Sequence, residues 1–147
     1  MSTPPASLRM VEVSGAEALW RLEGSALGRL VYPQRDLTVV RPGRHIWEYG
    51  RLVVRAPVQA AAVPLTATYQ VDEVRVATGT GWTVTVAGPA EVITDPNEAA
   101  LPHSLKGMGG APIRRTLTGW TYGPHDTIVR IRPQSVCGFR LARGTAS

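Results

Sequence analysis

The chain has 147 residues, 44% of them hydrophobic, so it can bury one compact core but is too short for two ordinary domains. Its single cysteine, Cys137, excludes an internal disulfide and a cysteine-cluster metal site, and we expect its thiol to be buried. The formal net charge of +5 favours anionic ligands, but the arginines are spread along the chain without the basic run typical of nucleic-acid binders.

The beginning of the chain carries no targeting pattern. Met1 to Leu8 lacks a positively charged start followed by a long apolar run, and no stretch approaches the length of a membrane span. We therefore expect a soluble, cytoplasmic protein with no membrane partner. Residues 1–13 are predicted to be a flexible N-terminus, and residues 14–143 to form a single domain.

A first short helix is predicted from about Gly15 to Glu23. Ser14 and Glu17 have the spacing of a capping box, in which the serine oxygen and the glutamate satisfy free amide donors. Ala16, Leu19 and Trp20 then fall on one helical face, which we expect to pack against the core.

Short apolar segments bounded by Gly, Pro or charged turns follow this helix and are typical of strands. We predict strands at Gly28–Tyr32, Leu37–Arg41, His45–Trp47, Arg51–Arg55, Thr66–Val71, Gly81–Gly88, Ala90–Thr94, Thr127–Arg132 and Val136–Leu141. Asp95 and Pro96 are typical of a helix start, so a second short helix should follow and end before Pro102. Many short strands with two brief helices predict a mainly β protein, either a small barrel or a sandwich.

The residues of these strands, in their order along the chain, resemble those of the pyridoxamine 5′-phosphate oxidase-like family. The segments that carry the resemblance are Leu27–Val31, Leu52–Arg55, Val71–Asp72, Gly81–Val84, Thr94–Pro96, Val129–Pro133 and Val136–Gly138. The resemblance implies a split β-barrel (a Greek-key barrel) that forms homodimers and holds FMN in two clefts between the protomers. It also implies a small-molecule ligand. The spread of the arginines does not favour nucleic acid as a partner.

The resemblance places the phosphate-binding residues at the end of one strand. In the family, a strand ending in Phe-Arg-Thr presents an arginine and a threonine to the flavin phosphate, and a later lysine completes the contact. Here Arg55 matches the arginine and can donate two parallel hydrogen bonds to a phosphate. Ala56 stands at the threonine position, and no lysine lies between Arg55 and Tyr69.

A second departure lies one strand earlier, where Arg44 and His45 replace the family's Asn and Tyr. One interpretation is that Arg44 enters the cleft and replaces the missing lysine. The alternative is that Arg44 sits on an exposed strand edge and contacts only water.

Two tryptophans match family positions near the ring-binding cleft, Trp82 and Trp120. Either indole could wall an isoalloxazine ring by stacking. Trp82 begins an alternating strand and has an ordinary alternative role in the core. Trp120 follows a Gly-rich loop, where packing alone explains a tryptophan less well, so it is the better ligand candidate.

No side-chain constellation for metal or nucleophilic catalysis is visible, since His45, His103 and His125 lack metal-ligand spacing and no Gly-x-Ser-x-Gly segment occurs. The hypothesis is therefore an FMN-binding split barrel, with flavin-dependent oxidoreductase activity on an unknown small molecule as one outcome. True pyridoxamine phosphate oxidation is not expected. Deazaflavin and haem are alternative cofactors. The competing hypothesis is a cofactor-free dimer with a binding or regulatory role.

Overall fold

The computed structural model describes residues 7–94 and 126–143. In chain order the elements are β1 (Leu8–Glu12), α1 (Gly15–Glu23), β2 (Leu27–Gln34), β3 (Leu37–Glu48), β4 (Arg51–Pro57), a 3₁₀ turn (Ala60–Ala62), β5 (Thr66–Val74), β6 (Gly81–Ile93), β7 (Asp126–Ile131) and β8 (Ser135–Arg143). The described part is mainly β, as predicted. The second predicted helix, after Asp95, lies outside the described residues.

Six of the strands close into an antiparallel barrel. Their order is β6-β5-β2-β3-β4-β7, and β7 pairs back onto β6, so that the barrel has no open edge. Strands β8 and β1 extend the sheet outward from β6. This arrangement confirms the split-barrel fold and excludes the sandwich.

β6 belongs to both the barrel and its extension because it changes partner along its length. Residues 81–87 pair with β8, and residues 90–93 pair with β7. Between the two runs lies Gly88, where an added Cβ would come within 1.8 Å of the carbonyl oxygen of Arg132. Pro89, which has no amide hydrogen to donate, stands next to it at the change of partner. The two strands predicted here are therefore one continuous strand.

β3 also joins two segments that were predicted as separate strands, because Pro42 sits inside it without breaking it. Pro42 pairs with Arg29 of β2, whereas pairing with β4 begins only at Arg44. The missing amide hydrogen of Pro42 is therefore not needed on the β4 side.

The barrel interior is filled by alternate residues of each strand, as the predicted alternation required. Trp82, Val84 and Val86 of β6 are buried, and Val129 and Ile131 of β7 are fully enclosed. The other buried side chains of this core are Leu30, Tyr32, Val39, Leu52, Val54, Ala56, Val58, Ala67, Tyr69 and Val71, together with Ala18 and Leu22 of α1.

α1 covers the barrel beside β8, and its start matches the prediction. The Ser14 hydroxyl accepts a hydrogen bond from the Glu17 amide at 3.1 Å, which caps the first turn. Ala18 and Leu22 are the residues that bury themselves, whereas Trp20 is 64% exposed. The predicted apolar face is therefore wrong for Ala16 and Trp20, which are exposed, because β8 meets the helix on the side of Ala18.

Two further predictions, for the N-terminus and for Cys137, are wrong. We expected a flexible N-terminus, but Leu8–Glu12 forms β1 and pairs with β8. We expected a buried thiol, but Cys137 is exposed, because its side chain lies on the outer face of β8. Within the described residues, no helix combines the length and the apolar character needed to cross a bilayer.

Candidate ligand-binding site

Arg44 of β3 and Arg55 of β4 lie directly opposite each other in the register of the two strands. Residues that face each other in an antiparallel pair have Cβ atoms about 5 Å apart and project from the same face of the sheet. Both side chains are half-buried on the outer face of the barrel wall. The structure therefore brings together the two arginines that were predicted to contact the phosphate.

Arg44 does not lie on a strand edge, since β3 pairs with β2 on one side and with β4 on the other. Its Nε atom is buried and lacks a hydrogen-bond acceptor among the residues that the structure describes. Two like charges placed opposite each other destabilise a strand pair. An anion bound between the guanidinium groups would offset this repulsion and supply the missing acceptor.

The same outer face carries an apolar cluster of Ile46, Val53 and Ile128, which we call the outer apolar patch. Ile46 pairs with Val53, and Ile128 pairs with Arg55. Val53 is only 4% exposed although it points away from the barrel core. The arginine pair thus borders directly on an apolar surface, a combination suited to a ligand with an anionic end and an apolar body.

Acidic and basic groups border this patch on its other sides. Glu48 lies opposite Arg51 at the far end of the β3–β4 pair, and burial raises the pKa of its carboxyl to about 7. One Glu48 oxygen is buried without a hydrogen-bond donor among the described residues. Arg130, which faces Val53, donates from Nε to the Glu91 carboxylate at 2.7 Å.

Sequence reasoning did not select these bordering residues, Glu48, Glu91 and Arg130. Strand alternation places Arg130 on the outer face of β7, but alternation does not say which residues of other strands stand beside it. The signal that finds them is the register of strand pairs that are distant in sequence, and this register exists only in the folded barrel.

His45 points into the barrel, on the opposite face of β3 from Arg44, and is 1% exposed. Its Nδ1 lies 2.7 Å from the Tyr69 hydroxyl, and its Nε2 lies 3.0 Å from the Leu22 carbonyl oxygen and 3.4 Å from the Ser25 hydroxyl. Burial lowers the pKa of His45, although the bond to Leu22 opposes this shift. These contacts of His45 tie α1 to the barrel and lie on its inner side.

Tyr69 completes this buried network and explains two glycines of the adjoining strands. Its hydroxyl donates to the Gly43 carbonyl at 3.2 Å, and its ring meets His45 edge-on with centroids 4.9 Å apart. An added Cβ on Gly28 or Gly43 would come within about 3 Å of the Tyr69 ring. The network holds β3 in place from the inside, and so it positions Arg44 on the outside.

Ala56 is fully buried in the barrel core, on the opposite face of β4 from Arg55. It offers no polar group to the outer face. The chain beyond it is held by Thr127, whose hydroxyl donates to the Val58 carbonyl oxygen. The 3₁₀ turn Ala60–Ala62 that follows also has no side-chain donor.

The structure separates Trp82 from the arginine pair. Trp82 lies at the start of β6 and is 9% exposed, whereas Ile93 near the end of β6 pairs with Ile128, the residue opposite Arg55. Trp82 packs in the main core, as its alternative interpretation proposed. Trp120 lies outside the described residues, so its role stays a prediction.

No group of three or more His, Cys, Asp or Glu side chains arranged to hold a metal ion is present in residues 7–94 and 126–143. The polar side chains described above around the outer apolar patch carry guanidinium and carboxylate groups. Among these, the Arg44–Arg55 pair is the group suited to bind an anion.

The closed six-stranded barrel of the described residues, with its two extra strands and one helix, defines this protein as a split β-barrel. The family model described as pyridoxamine 5′-phosphate oxidase matches residues 14–140, and the chain belongs to this family. It is 28% identical to the uncharacterised protein Rv0080 of Mycobacterium tuberculosis over 149 residues, which cover 95% of this chain and 91% of that protein.

Solved structures share the fold. An FAD-binding protein of Mycobacterium smegmatis superposes with a TM-score of 0.60 at 21% identity, covering 91% of this chain and 99% of that one. An FAD-binding protein of Mesorhizobium loti superposes with a TM-score of 0.66 at 17% identity, covering 93% and 100%. At these identities the comparison shows the common barrel.

Proposed function

We propose that this protein binds a flavin mononucleotide through its phosphate, with Arg44 and Arg55 as the phosphate-binding residues. The observation that carries the proposal is the register of β3 and β4, which makes Arg44 and Arg55 directly opposite residues on one face. Membership of the family and the structural similarity to two FAD-binding proteins support a flavin as the ligand.

The two arginines would compensate for the family residues that this chain lacks. Each guanidinium can donate two charge-assisted hydrogen bonds to phosphate oxygens, in a geometry that a lysine cannot offer. The buried Nε–H group of Arg44 has no hydrogen-bond acceptor among the described residues, so it can donate to a ligand. Arg44 therefore takes the place of the missing lysine, and no side chain takes the place of the missing threonine, since Ala56 faces the core.

The outer apolar patch would serve both the flavin ring and a second protomer. Ile46 and Ile128 are partly exposed beside the buried Val53, and a planar ring gains buried area by lying against such apolar side chains. The family resemblance implies that two protomers enclose each cofactor. We therefore propose a homodimer that meets at the β3–β4–β7 face, with Trp120 as a candidate wall of the same cleft.

A flavin, when bound, supplies two-electron chemistry, and we propose an oxidoreductase activity on a small molecule. The chain's own residues would bind and orient the cofactor. Arg44 and Arg55 neutralise the phosphate, and the apolar patch excludes water from the ring. The cytoplasmic location expected from the sequence is part of the same proposal.

A second function is favoured by one specific observation, the absence of side-chain donors at Ala56 and in the 3₁₀ turn Ala60–Ala62. Each charge-assisted hydrogen bond that is lost would weaken phosphate binding by roughly 1.5 to 3 kcal/mol. In this alternative the protein is a cofactor-free dimer that binds a partner or another anion through the same face.

The experiment that separates the two functions compares FMN with riboflavin, which has the same ring but no phosphate. FMN binding is measured by flavin fluorescence quenching on the wild type, Arg44→Ala, Arg55→Ala and the control Arg51→Ala, which lies on the same face of β4. We expect each of the first two substitutions to weaken FMN binding at least about tenfold, and Arg51→Ala to leave it unchanged. Riboflavin should bind more weakly and respond to none of them.

Two results would contradict the proposal. Wild-type protein that retains no flavin absorbance after addition of FMN and desalting would favour the cofactor-free dimer. FMN binding that is insensitive to both Arg44→Ala and Arg55→Ala would remove the arginine pair from the site. Sedimentation of the wild type at several concentrations tests the dimer independently of the cofactor.

A further inference from the structure

A cavity lies between α1, the β5–β6 hairpin and β8. Its volume is about 280 Å³, and its lining includes Arg21, Glu73, Arg75, Trp82 and Arg140. In the cyclic order of the barrel, β5 and β6 stand across from β4 and β3. The cavity therefore lies on the other side of the barrel from Arg44 and Arg55, and it shares no lining residue with that site.

Arg21 is held in this cavity by two indole rings. The centre of its guanidinium lies 4.9 Å from the Trp20 ring centroid and 5.6 Å from the Trp82 ring centroid. Such cation–π contacts attract the guanidinium group to the ring faces. Its Nε is buried and has no hydrogen-bond acceptor among the residues that the structure describes. A donor that is desolvated and unsatisfied costs free energy, which an added acceptor would recover.

The charge balance of the cavity is positive. Arg75 and Arg140 join Arg21 in the lining, and the acidic side chain among the lining residues is Glu73. Arg140 also contacts Glu17 at 3.4 Å, a long ion pair between partly exposed groups, and such pairs are weak. Three guanidinium groups facing one cavity raise the local concentration of small anions.

We propose that this cavity is a second ligand site, which binds a small molecule carrying an oxyanion, either a phosphate or a carboxylate. The forked guanidinium donors of Arg21, Arg75 and Arg140 match the geometry of both groups. The volume falls just below the range of about 300 to 1,000 Å³ that is typical of pockets for drug-sized ligands, so the ligand is small. Trp82, which also lines the cavity, supplies an apolar wall beside the anion.

The Nε–Hε group of Arg21 provides a direct readout by NMR on ¹⁵N-labelled protein, assigned by its loss in Arg21→Lys. Inorganic phosphate and succinate are titrated separately, with sodium chloride used to keep the ionic strength constant. We expect a saturable shift of the Arg21 signal with at least one of the two anions. A response to phosphate alone assigns phosphorylated ligands to the site, and a response to succinate alone assigns carboxylates.

Two variants of exposed arginines test the location. Arg75→Gln should weaken the apparent affinity about tenfold, because it removes one charge-assisted contact. Arg132 directly follows β7 and does not line the cavity. Arg132→Gln removes the same charge and should leave the affinity unchanged. Arg55→Ala should also leave it unchanged, which separates this site from the flavin site. The proposal is overturned if neither anion gives a saturable shift, or if Arg132→Gln weakens binding as much as Arg75→Gln.

Discussion

Arg44 and Arg55 face each other across neighbouring strands, so that two guanidinium groups share one half-buried face of the barrel wall. Like charges on facing residues of a strand pair repel each other. An anion bound between the two arginines would offset this repulsion. Three predictions follow from this site and the strands around it.

Replacing Arg44 by Gln should stabilise the ligand-free protein at low ionic strength. Removing one of two facing like charges is expected to raise the free energy of unfolding by about 0.2 to 1 kcal/mol. The gain should shrink as salt is added, because mobile ions screen the partly exposed charges. Urea unfolding in low and high sodium chloride measures both effects.

The matched control for this measurement is Arg51→Gln, on the same two strands. Arg51 faces Glu48 instead of another arginine, so its removal relieves no repulsion and should not stabilise the protein. An Arg44→Gln variant that is less stable than the wild type at low salt would show that a favourable contact of Arg44 outweighs its repulsion with Arg55.

Glu48 should make the protein less stable as the pH rises from about 4.5 to about 7. Burial raises the folded-state pKa of this carboxyl from 4.5 to about 7. Between these values the folded state holds a proton that the unfolded state has released, so the free energy of unfolding falls with increasing pH. Glu48→Gln should remove this slope and be more stable than the wild type at pH 8.

Urea unfolding of the wild type and Glu48→Gln at pH 4, 6 and 8 tests this prediction. The two proteins should differ least at pH 4, where the carboxyl is protonated in both states. The buried His45, whose pKa is lowered, contributes a slope of opposite sign below pH 6.5, but it is present in both proteins and cancels in the comparison. Equal stability of the two proteins at pH 8 would argue against a desolvated Glu48.

Gly88 should tolerate no side chain, because it lies where β6 changes its pairing partner from β8 to β7. An added Cβ would overlap the Arg132 carbonyl oxygen at 1.8 Å, a backbone atom that cannot rotate away. We expect Gly88→Ala to destabilise the protein by about 1 to 3 kcal/mol or more. Gly15→Ala is the control, since nothing lies within 4 Å of its Cβ position. Similar melting temperatures for the two variants would contradict the role assigned to Gly88.

Local pattern was sufficient for most of the strands. The alternation of Trp82, Val84 and Val86 predicted both a strand and its buried face, because a strand turns successive side chains to opposite sides. The capping residues Ser14 and Glu17 predicted the start of α1. Pattern was insufficient where a proline lies inside a strand, since Pro42 and Pro89 are tolerated only because of the partner strands beside them.

The candidate site divides in the same way. Resemblance to the family selected Arg55, and the sequence also offered Arg44, but only the register of β3 and β4 puts them side by side. In the same register His45 and Ala56 point into the barrel. Alternation along a single strand does not say which of its two faces points inward. The location of Trp82 likewise depends on which end of β6 reaches β7.

The amino-acid sequence by itself determined the elements and the family of this protein, because apolar alternation, caps and turn residues act between near neighbours in the chain. Tertiary structure alone decided which residues share a face. Arg44 meets Arg55, and Arg21 meets Trp82, only after strands and a helix distant in sequence have packed together. Charge repulsion, desolvation and ligand binding all depend on those distances in space, which no local pattern encodes.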